Sequence, residues 1–217
     1  FRPALTQLDV SIDVRYVSSM RTSAPALLPI FRSQAQAEVL AWLYLHPDNT
    51  FSLTDLARRV GVSVPTLHRL AEQLVVSQLA TQTLIGRNRM LGANGSHPVA
   101  DPLARLLETM FGPKQVVSEE FADIPGAQQV FIFGSWAARY AGEPGRPPND
   151  IDVLVIGDTV SRDDIYAAAD RAQSRLGLPV NPTLRTNQQW LDASDTLAKE
   201  LKTQPILDVT ATPKEPQ

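Results

Sequence analysis

The chain has 217 residues, of which 43% are hydrophobic and 20% charged, with a net charge of −3. That length allows one or two domains, and the balance of apolar and charged residues excludes wholesale disorder. The absence of cysteine excludes disulfides, thiolate metal sites and a cysteine nucleophile. No apolar run approaches the roughly 18 residues of a membrane span, and no basic segment followed by an apolar stretch marks a secretory signal. A cytoplasmic protein with no membrane partner is therefore expected.

The charge is unevenly spread. Residues 1–112 carry ten arginines against eight acids, whereas residues 113–217 carry ten basic residues against fifteen acids. Between positions 58 and 89, Arg58, Arg59, Arg69, Arg87 and Arg89 stand against Glu72 alone. A basic stripe in an acidic chain points to a nucleic-acid face; a solvated helix face accounts for the same charges.

In chain order, Val10, Ile12, Val14 and Tyr16 alternate with polar residues, predicting one half-buried strand in an arm over residues 1–31. From Ser33 the period becomes helical, with Ala37, Leu40, Ala41, Tyr44 and Leu45 on one face, until His46-Pro47-Asp48-Asn49 ends it. Ser52–Val60 predicts a second helix, Gly61-Val62-Ser63 a tight turn, and Val64–Ser77 a third helix with Leu67, Leu70, Ala71 and Leu74 inward. Two extended segments, Leu79–Leu84 and Met90–Ala93, are joined by Gly86-Arg87-Asn88-Arg89.

Three helices followed by a hairpin tipped with Gly and Arg form a winged helix-turn-helix. Its recognition helix would present Ser63, Thr66, His68 and Arg69 to base edges and phosphates in the major groove of double-stranded DNA. Its wing would offer Arg87 and Arg89 to phosphate or to a narrow minor groove. Such modules read paired half-sites, so a homodimer is expected. They also dock proteins, so the fold alone does not select DNA.

Asp101-Pro102 predicts a connector helix with Asp as N-cap and Pro at its first position, closed by Phe111-Gly112-Pro113. Strand and helix then alternate: strands over Gln128–Phe133, Ile151–Ile156, Leu178–Thr183 and Ile206–Val209, helices over Ser135–Tyr140, Ser161–Leu176 and Asn187–Lys202. Ser161 with Asp164 makes a capping signature, and Gly177 ends that helix. The pattern is that of a small mixed sheet with flanking helices. The chain thus divides into an arm (1–31), a winged helix (32–95), a connector helix and linker (96–124), an α/β domain (125–211) and a polar tail (212–217).

The chemistry is concentrated in that last domain. The apolar strand Phe131-Ile132-Phe133 runs into Gly134-Ser135 and a helix; fourteen residues later Asp150-Ile151-Asp152 opens the next strand. Alternation places the two carboxylates on one face, where they repel each other unless a cation lies between them, and a hard divalent ion suits their oxygens. Gly134 allows backbone to approach a phosphate, and Ser135 with the start of the helix supplies donors. Two solvated strand-end acids are the plainer alternative. Trp136, Tyr140 and Trp190 are candidates for stacking on a base, though core packing is the commoner fate of such rings. The loop from Glu143 to Pro148 is placed to gate the site. His46, His68 and His97 lack metal-ligand spacing, so no zinc is expected.

The Gly-Ser strand end followed by Asp-x-Asp resembles the polymerase-β-like nucleotidyltransferases over about residues 125–210. The stretch from Gly134 to Tyr140, with Asp150 to Gly157, is similar to a bacterial subgroup of minimal nucleotidyltransferases whose domain follows an arsenical-repressor-like winged helix. Gly86-Arg87-Asn88-Arg89, Phe111-Gly112 and Val180-Asn181-Pro182-Thr183 extend the likeness to about residues 30–210.

The resemblance implies that Asp150 and Asp152 are catalytic and hold magnesium or manganese on a nucleoside triphosphate. It further implies that Gly134 and Ser135 cradle the phosphates, with Arg139 a nucleotide-binding candidate for which a surface salt bridge is the alternative, and that an acceptor hydroxyl attacks the α-phosphorus with loss of pyrophosphate. One departure stands out. The family places a third carboxylate on a later strand, and here Asn181 occupies that position; an amide cannot act as a base at neutral pH. Three outcomes stay open: a DNA-binding regulator that transfers a nucleotide, an inactive nucleotide-sensing regulator, and a toxin-like transferase acting on RNA or protein.

Overall fold

A computed structural model describes residues 30–144, 147–192 and 195–210. The strand expected around residues 10–16 and the tail over 212–217 lie outside the described residues. Two bodies with separate apolar cores follow one another along the chain.

The first body is built on serine caps. Helix α1 (Gln34–Tyr44) begins where the Ser33 hydroxyl accepts the Gln36 N–H, and α2 (Leu53–Val60) where Ser52 accepts that of Asp55. Helix α3 (Val64–Val76) follows from Ser63 in the same way, with Pro65 tolerated in its first turn. Gly61 adopts a left-handed φ of 71° and lets α3 turn sharply away from α2. A short strand that periodicity did not reveal, β1 (Thr50–Ser52), pairs antiparallel with β3 (Asn88–Ala93), which also pairs with β2 (Ala80–Ile85). Three residues are too few to show an alternation.

The wing is tighter than expected. Ile85 pairs with Asn88, so Gly86 and Arg87 alone make the turn, and the positive φ of Gly86 (62°) matches the twist of a two-residue hairpin.

Helix α4 (Ala100–Phe111) starts ahead of the expected Asp101 cap. Val99 takes the cap position without a side-chain bond, because Ala100 is drawn into the core, and Asp101 lies in the first turn. Phe111-Gly112-Pro113 does not close the connector either. Gly112 is extended, its Cα packed so closely on the Glu108 carbonyl that a Cβ would lie 2.2 Å from the oxygen. Pro113 then opens α5 (Pro113–Glu120). Leu107 of α4 belongs to the first core and Val116 and Val117 of α5 to the second, so the change of body falls at Gly112.

The second body is a four-stranded sheet in the order β6-β5-β4-β7. Its strands are β4 (Gln129–Phe133), β5 (Ile151–Ile156), β6 (Val180–Arg185) and β7 (Leu207–Asp208). Strand β5 is parallel to β6 and antiparallel to β4, which is antiparallel to β7. Because β5 is covered on both faces, its side chains divide between two clusters: Ile151, Val153 and Val155 pack under α5 and α7 (Arg162–Leu176), Leu154 and Ile156 against Leu201. Ser161 precedes α7 but makes no side-chain cap bond, so the expected capping signature is not used.

The single helix expected over Asn187–Lys202 is two, α8 (Asn187–Leu191) and α9 (Thr196–Leu201). Asp195 caps α9 by accepting the Ala198 N–H while its other oxygen binds Arg185. Both bonds require it at a helix end rather than inside one. Helix α6 (Gly134–Tyr140) completes the set.

The two bodies meet at Trp42 and His46. The rings stack with centroids 5.1 Å apart, and the Arg59 guanidinium lies 4.4 Å above Trp42. Gly177, the left-handed cap of α7, sits so close that a Cβ would lie 2.3 Å from the Trp42 ring. Gly177→Ala therefore combines a left-handed alanine with overpacking, and urea denaturation should show a loss of roughly 2–4 kcal/mol.

His46 is buried at 8% exposure. Its Nδ1 lies 2.9 Å from the Trp42 carbonyl, which can only accept, so Nδ1 carries the hydrogen; the buried Nε2 completes no hydrogen bond. Burial holds the imidazole below its ordinary pKa of 6.5, and the Arg59 charge adds to that, against the opposing pull of the Trp42 and Leu176 carbonyls. The unfolded chain therefore takes up this proton first. Stability from this site is complete above pH 6.5 and declines as pH falls below it toward the folded-state pKa. Urea midpoints at pH 7.5 and 5.5 should differ more for the unaltered protein than for His46→Phe.

Candidate functional site

Two surfaces carry the candidate residues. On the winged helix, Ser63 and Thr66 are tied together at the start of α3: the Ser63 hydroxyl accepts the Thr66 N–H at 3.3 Å and lies 2.9 Å from the Thr66 hydroxyl. Arg69 is exposed on α3, and Arg87 is exposed at the wing turn. Arg89 is turned inward. Its Nη2 donates to Gln82 Oε1 at 2.8 Å and its Nη1 lies 3.4 Å from His68 Nδ1, which links the wing to the recognition helix. Gln82, the partner of Arg89, was not singled out from the sequence, because the cross-strand geometry that brings the two together exists only in the folded hairpin.

Arg58 and Arg59 contribute less to the basic stripe than their number suggests. Both pair with Asp55, one turn earlier on α2, and those bonds hold the Asp55 carboxyl below the usual carboxylate range.

The second surface lies where β4 ends. Phe133 is opposite Asp152 across β4 and β5, and Asp152 is level with Asn181 across β5 and β6. Gly134 has a φ of +67°, and a Cβ on it would lie 2.7 Å from Asp152 Oδ2. Both facts require glycine here: the backbone turns through the left-handed region directly against the carboxylate.

Asp150 is exposed just before β5 and accepts the Asn181 Nδ2–H at 3.0 Å. The Asp152 carboxyl is pushed above its ordinary pKa, first by burial and then by the Asp150 charge, with the Asn181 amide working the other way. The two carboxylates therefore sense each other, and Asn181 stands between them. Among the described residues no cluster of three or more His, Asp or Glu side chains forms a metal cage.

Beside this pair opens a cleft of about 460 Å³, lined by Gly134, Ser135, Ala138, Arg139 and, from facing loops, Glu143, Pro148 and Gln204. Asp150 and Asp152, at the start of the inner strand β5, are not part of the lining, although Gly134 against Asp152 is. Arg139 lies one turn beyond Ser135, but its guanidinium is held by Glu108 of α4, with Nε and Nη2 at 3.1 and 2.8 Å from Oε2. Of the loop expected to gate the site, Glu143, Pro144 and Pro148 line the cleft, and residues 145–146 lie outside the described residues.

The aromatic candidates have structural roles. Trp136 is 2% exposed in the core and packs against Tyr140, and Trp190 stacks on Phe131 with centroids 5.9 Å apart. The Tyr140 hydroxyl accepts the Lys114 N–H at 3.2 Å, and burial raises its pKa well above the usual tyrosine value.

Comparison with known proteins agrees with the first body. A family model described as the IclR helix-turn-helix domain matches residues 36–84. Among solved structures, reduced HlyU from Vibrio cholerae is 19% identical, with a TM-score of 0.33 over 39% of this chain and 84% of that one. MepR, a transcription regulator of the Staphylococcus aureus multidrug efflux pump MepA, is 18% identical, with a TM-score of 0.34 over 45% of this chain and 71% of that one. The same regulator in a DNA complex is 20% identical, with a TM-score of 0.33 over 41% and 72%. No curated protein matches the sequence. The first body is a winged helix-turn-helix, and the second is a mixed sheet with helices on both faces. Among the described residues no helix is long and apolar enough to cross a membrane.

The carboxylate pair makes a direct prediction. In Asp150→Asn the neighbouring negative charge is gone, so the Asp152 carboxyl should ionise at lower pH than in the unaltered protein, as followed by carboxyl-carbon NMR.

Proposed function

We propose that the protein is a DNA-binding winged-helix regulator whose second body binds a magnesium or manganese nucleoside triphosphate and transfers its nucleotidyl group to a hydroxyl acceptor. The observation that carries this reading is the bare Cα of Gly134 against the Asp152 carboxylate, with Asp150 alongside and a cleft opening at Ser135. Packing alone gives a strand end no use for two acids, and it leaves carboxylate oxygens next to the glycine that lines a space of ligand size.

The donor set suits a hard divalent ion. Magnesium is commonly held by one or two carboxylates together with phosphate oxygens, and an ion at Asp150 and Asp152 would relieve the repulsion that raises Asp152. When bound, such an ion neutralises the triphosphate and favours departure of pyrophosphate. The protein's own groups do the rest. Gly134 lets phosphate approach the backbone, the exposed Ser135 hydroxyl donates to it, and the cleft walls exclude part of the solvent. Asn181 cannot accept the acceptor's proton, so that proton leaves to water or to a carboxylate, and turnover is slow.

The hydrogen bond from Asn181 to Asp150 favours a second reading, in which the site binds nucleotide as a signal without transferring it. The DNA half rests on the winged helix-turn-helix and on Arg69 and Arg87, exposed and without an ion pair among the described residues. Two copies reading paired half-sites are the expected assembly on DNA.

Calorimetry with the four magnesium nucleoside triphosphates tests the nucleotide half. Magnesium-dependent binding to the intact protein, lost in the Asp150→Ala, Asp152→Ala double variant, is the expected result; no binding of any of the four would overturn it. Release of pyrophosphate separates transfer from sensing. Duplex DNA binding should weaken steeply with salt, and Arg69→Ala with Arg87→Ala should reduce the slope of log K against log salt by about two.

A further inference from the structure

Helix α6 touches both sides of the junction between the two bodies. Arg139 bonds to Glu108 on α4, whose Leu107 is packed in the winged-helix core. The next residue, Tyr140, accepts a hydrogen bond from the Lys114 N–H on α5, whose Val116 and Val117 belong to the second core. Between these two attachments lies Gly112, where the connector breaks. The same helix begins at Gly134 and Ser135 in the cleft, and Ser135 and Arg139, four residues apart, share one face of it. The helix therefore runs from the proposed phosphate cradle to the seam between the bodies.

The Glu108–Arg139 pair is not an ordinary surface bridge. The two side chains are only 13% and 23% exposed, and Arg139 Nε and Nη2 donate to the same Glu108 carboxylate oxygen. A pair this enclosed resists solvent screening and fixes the rotamer of a long, flexible side chain. Unheld, Arg139 would lose rotamer freedom each time it met a phosphate; held by Glu108, it is already ordered at the cleft wall. The residue that orders it belongs to the other body.

We infer that Glu108 is a positioning residue of the nucleotide site, contributed by the winged-helix body, so that the phosphate-binding arginine, which also lies over the Trp136 ring of its own helix, is oriented in part by the other body. This rests on the nucleotide reading above and extends it. A triphosphate that contacts Arg139 is bound more tightly by the docked protein, and by linkage its binding favours docking. The cleft thereby reports to the DNA-binding body through the Glu108–Arg139 pair, without contact between nucleotide and winged helix.

The test uses the full chain and whichever magnesium nucleoside triphosphate binds it. Glu108→Gln keeps the shape of the side chain and removes its charge. Binding should weaken roughly tenfold, the effect of losing one charge-assisted hydrogen bond. Arg139→Gln should weaken it at least as much, and the double variant no further than Arg139→Gln alone, because Glu108 acts through Arg139. The exchanged pair Glu108→Arg, Arg139→Glu separates positioning from mere docking: it should recover the melting temperature lost in the single variants without recovering nucleotide affinity.

Unchanged or tighter binding in Glu108→Gln would overturn the inference while leaving the nucleotide site intact. So would additive losses in the double variant, or recovery of affinity in the exchanged pair. Failure of every triphosphate to bind the unaltered protein would overturn the nucleotide reading and this inference with it.

Discussion

The approach of the Asp152 carboxylate to the bare Cα of Gly134 organises the second body. Strand β5 is buried on both faces, so its central residues are fixed by packing, and an acid is tolerated only at its entrance. Pairing with β4 then puts Phe133 opposite that acid, and the chain has to leave β4 directly against it. Only glycine can both take the left-handed turn and leave room for the carboxylate. The direction of α6 follows from that turn, and with it the meeting of Arg139 with α4 and of Tyr140 with α5. One steric requirement at a strand end thus extends to the seam between the bodies.

The first body relies on local devices. Serine caps start α1, α2 and α3, and Gly61 and Gly86 take left-handed conformations at turns, so much of its geometry is set within a few residues of each position. Its charge is shaped just as locally: Asp55 takes up Arg58 and Arg59 on α2 and leaves Arg69 and Arg87 as the exposed cations of α3 and the wing.

The seam combines packing with incomplete polar satisfaction. Trp42 is enclosed by His46, Arg59 and Phe51, and it fills the space that a side chain at Gly177 would need. His46 donates to its own helix and faces the Leu176 carbonyl with a nitrogen that, in the neutral ring, can only accept. Two acceptors face each other there. The mismatch keeps this contact weaker than a complete hydrogen bond and leaves the hold between the bodies to ring packing and to the Glu108–Arg139 pair.

The sequence by itself determined whatever depends on neighbours along the chain. The helical stripes of α1 and α3, the helix of α7, the turns at Gly61 and Gly177, and the apolar run of β5 were all legible, because periodicity and turn chemistry act over a few residues. The association of Gly134, Ser135, Asp150 and Asp152 was legible too, as a spacing. Other features were settled only by tertiary structure. Strand β1 exists because β3 offers it a partner, and α4 begins early because Ala100 is wanted in the core. The connector breaks into α4 and α5 because Gly112 meets the Glu108 carbonyl, and the last helix divides because Asp195 is claimed by Arg185. Trp136 and Trp190 were absorbed by packing, and Arg139 and Arg89 were bound to Glu108 and Gln82, partners 31 and 7 residues away. Which partner orders a side chain is decided by distances in space that no spacing along the chain records.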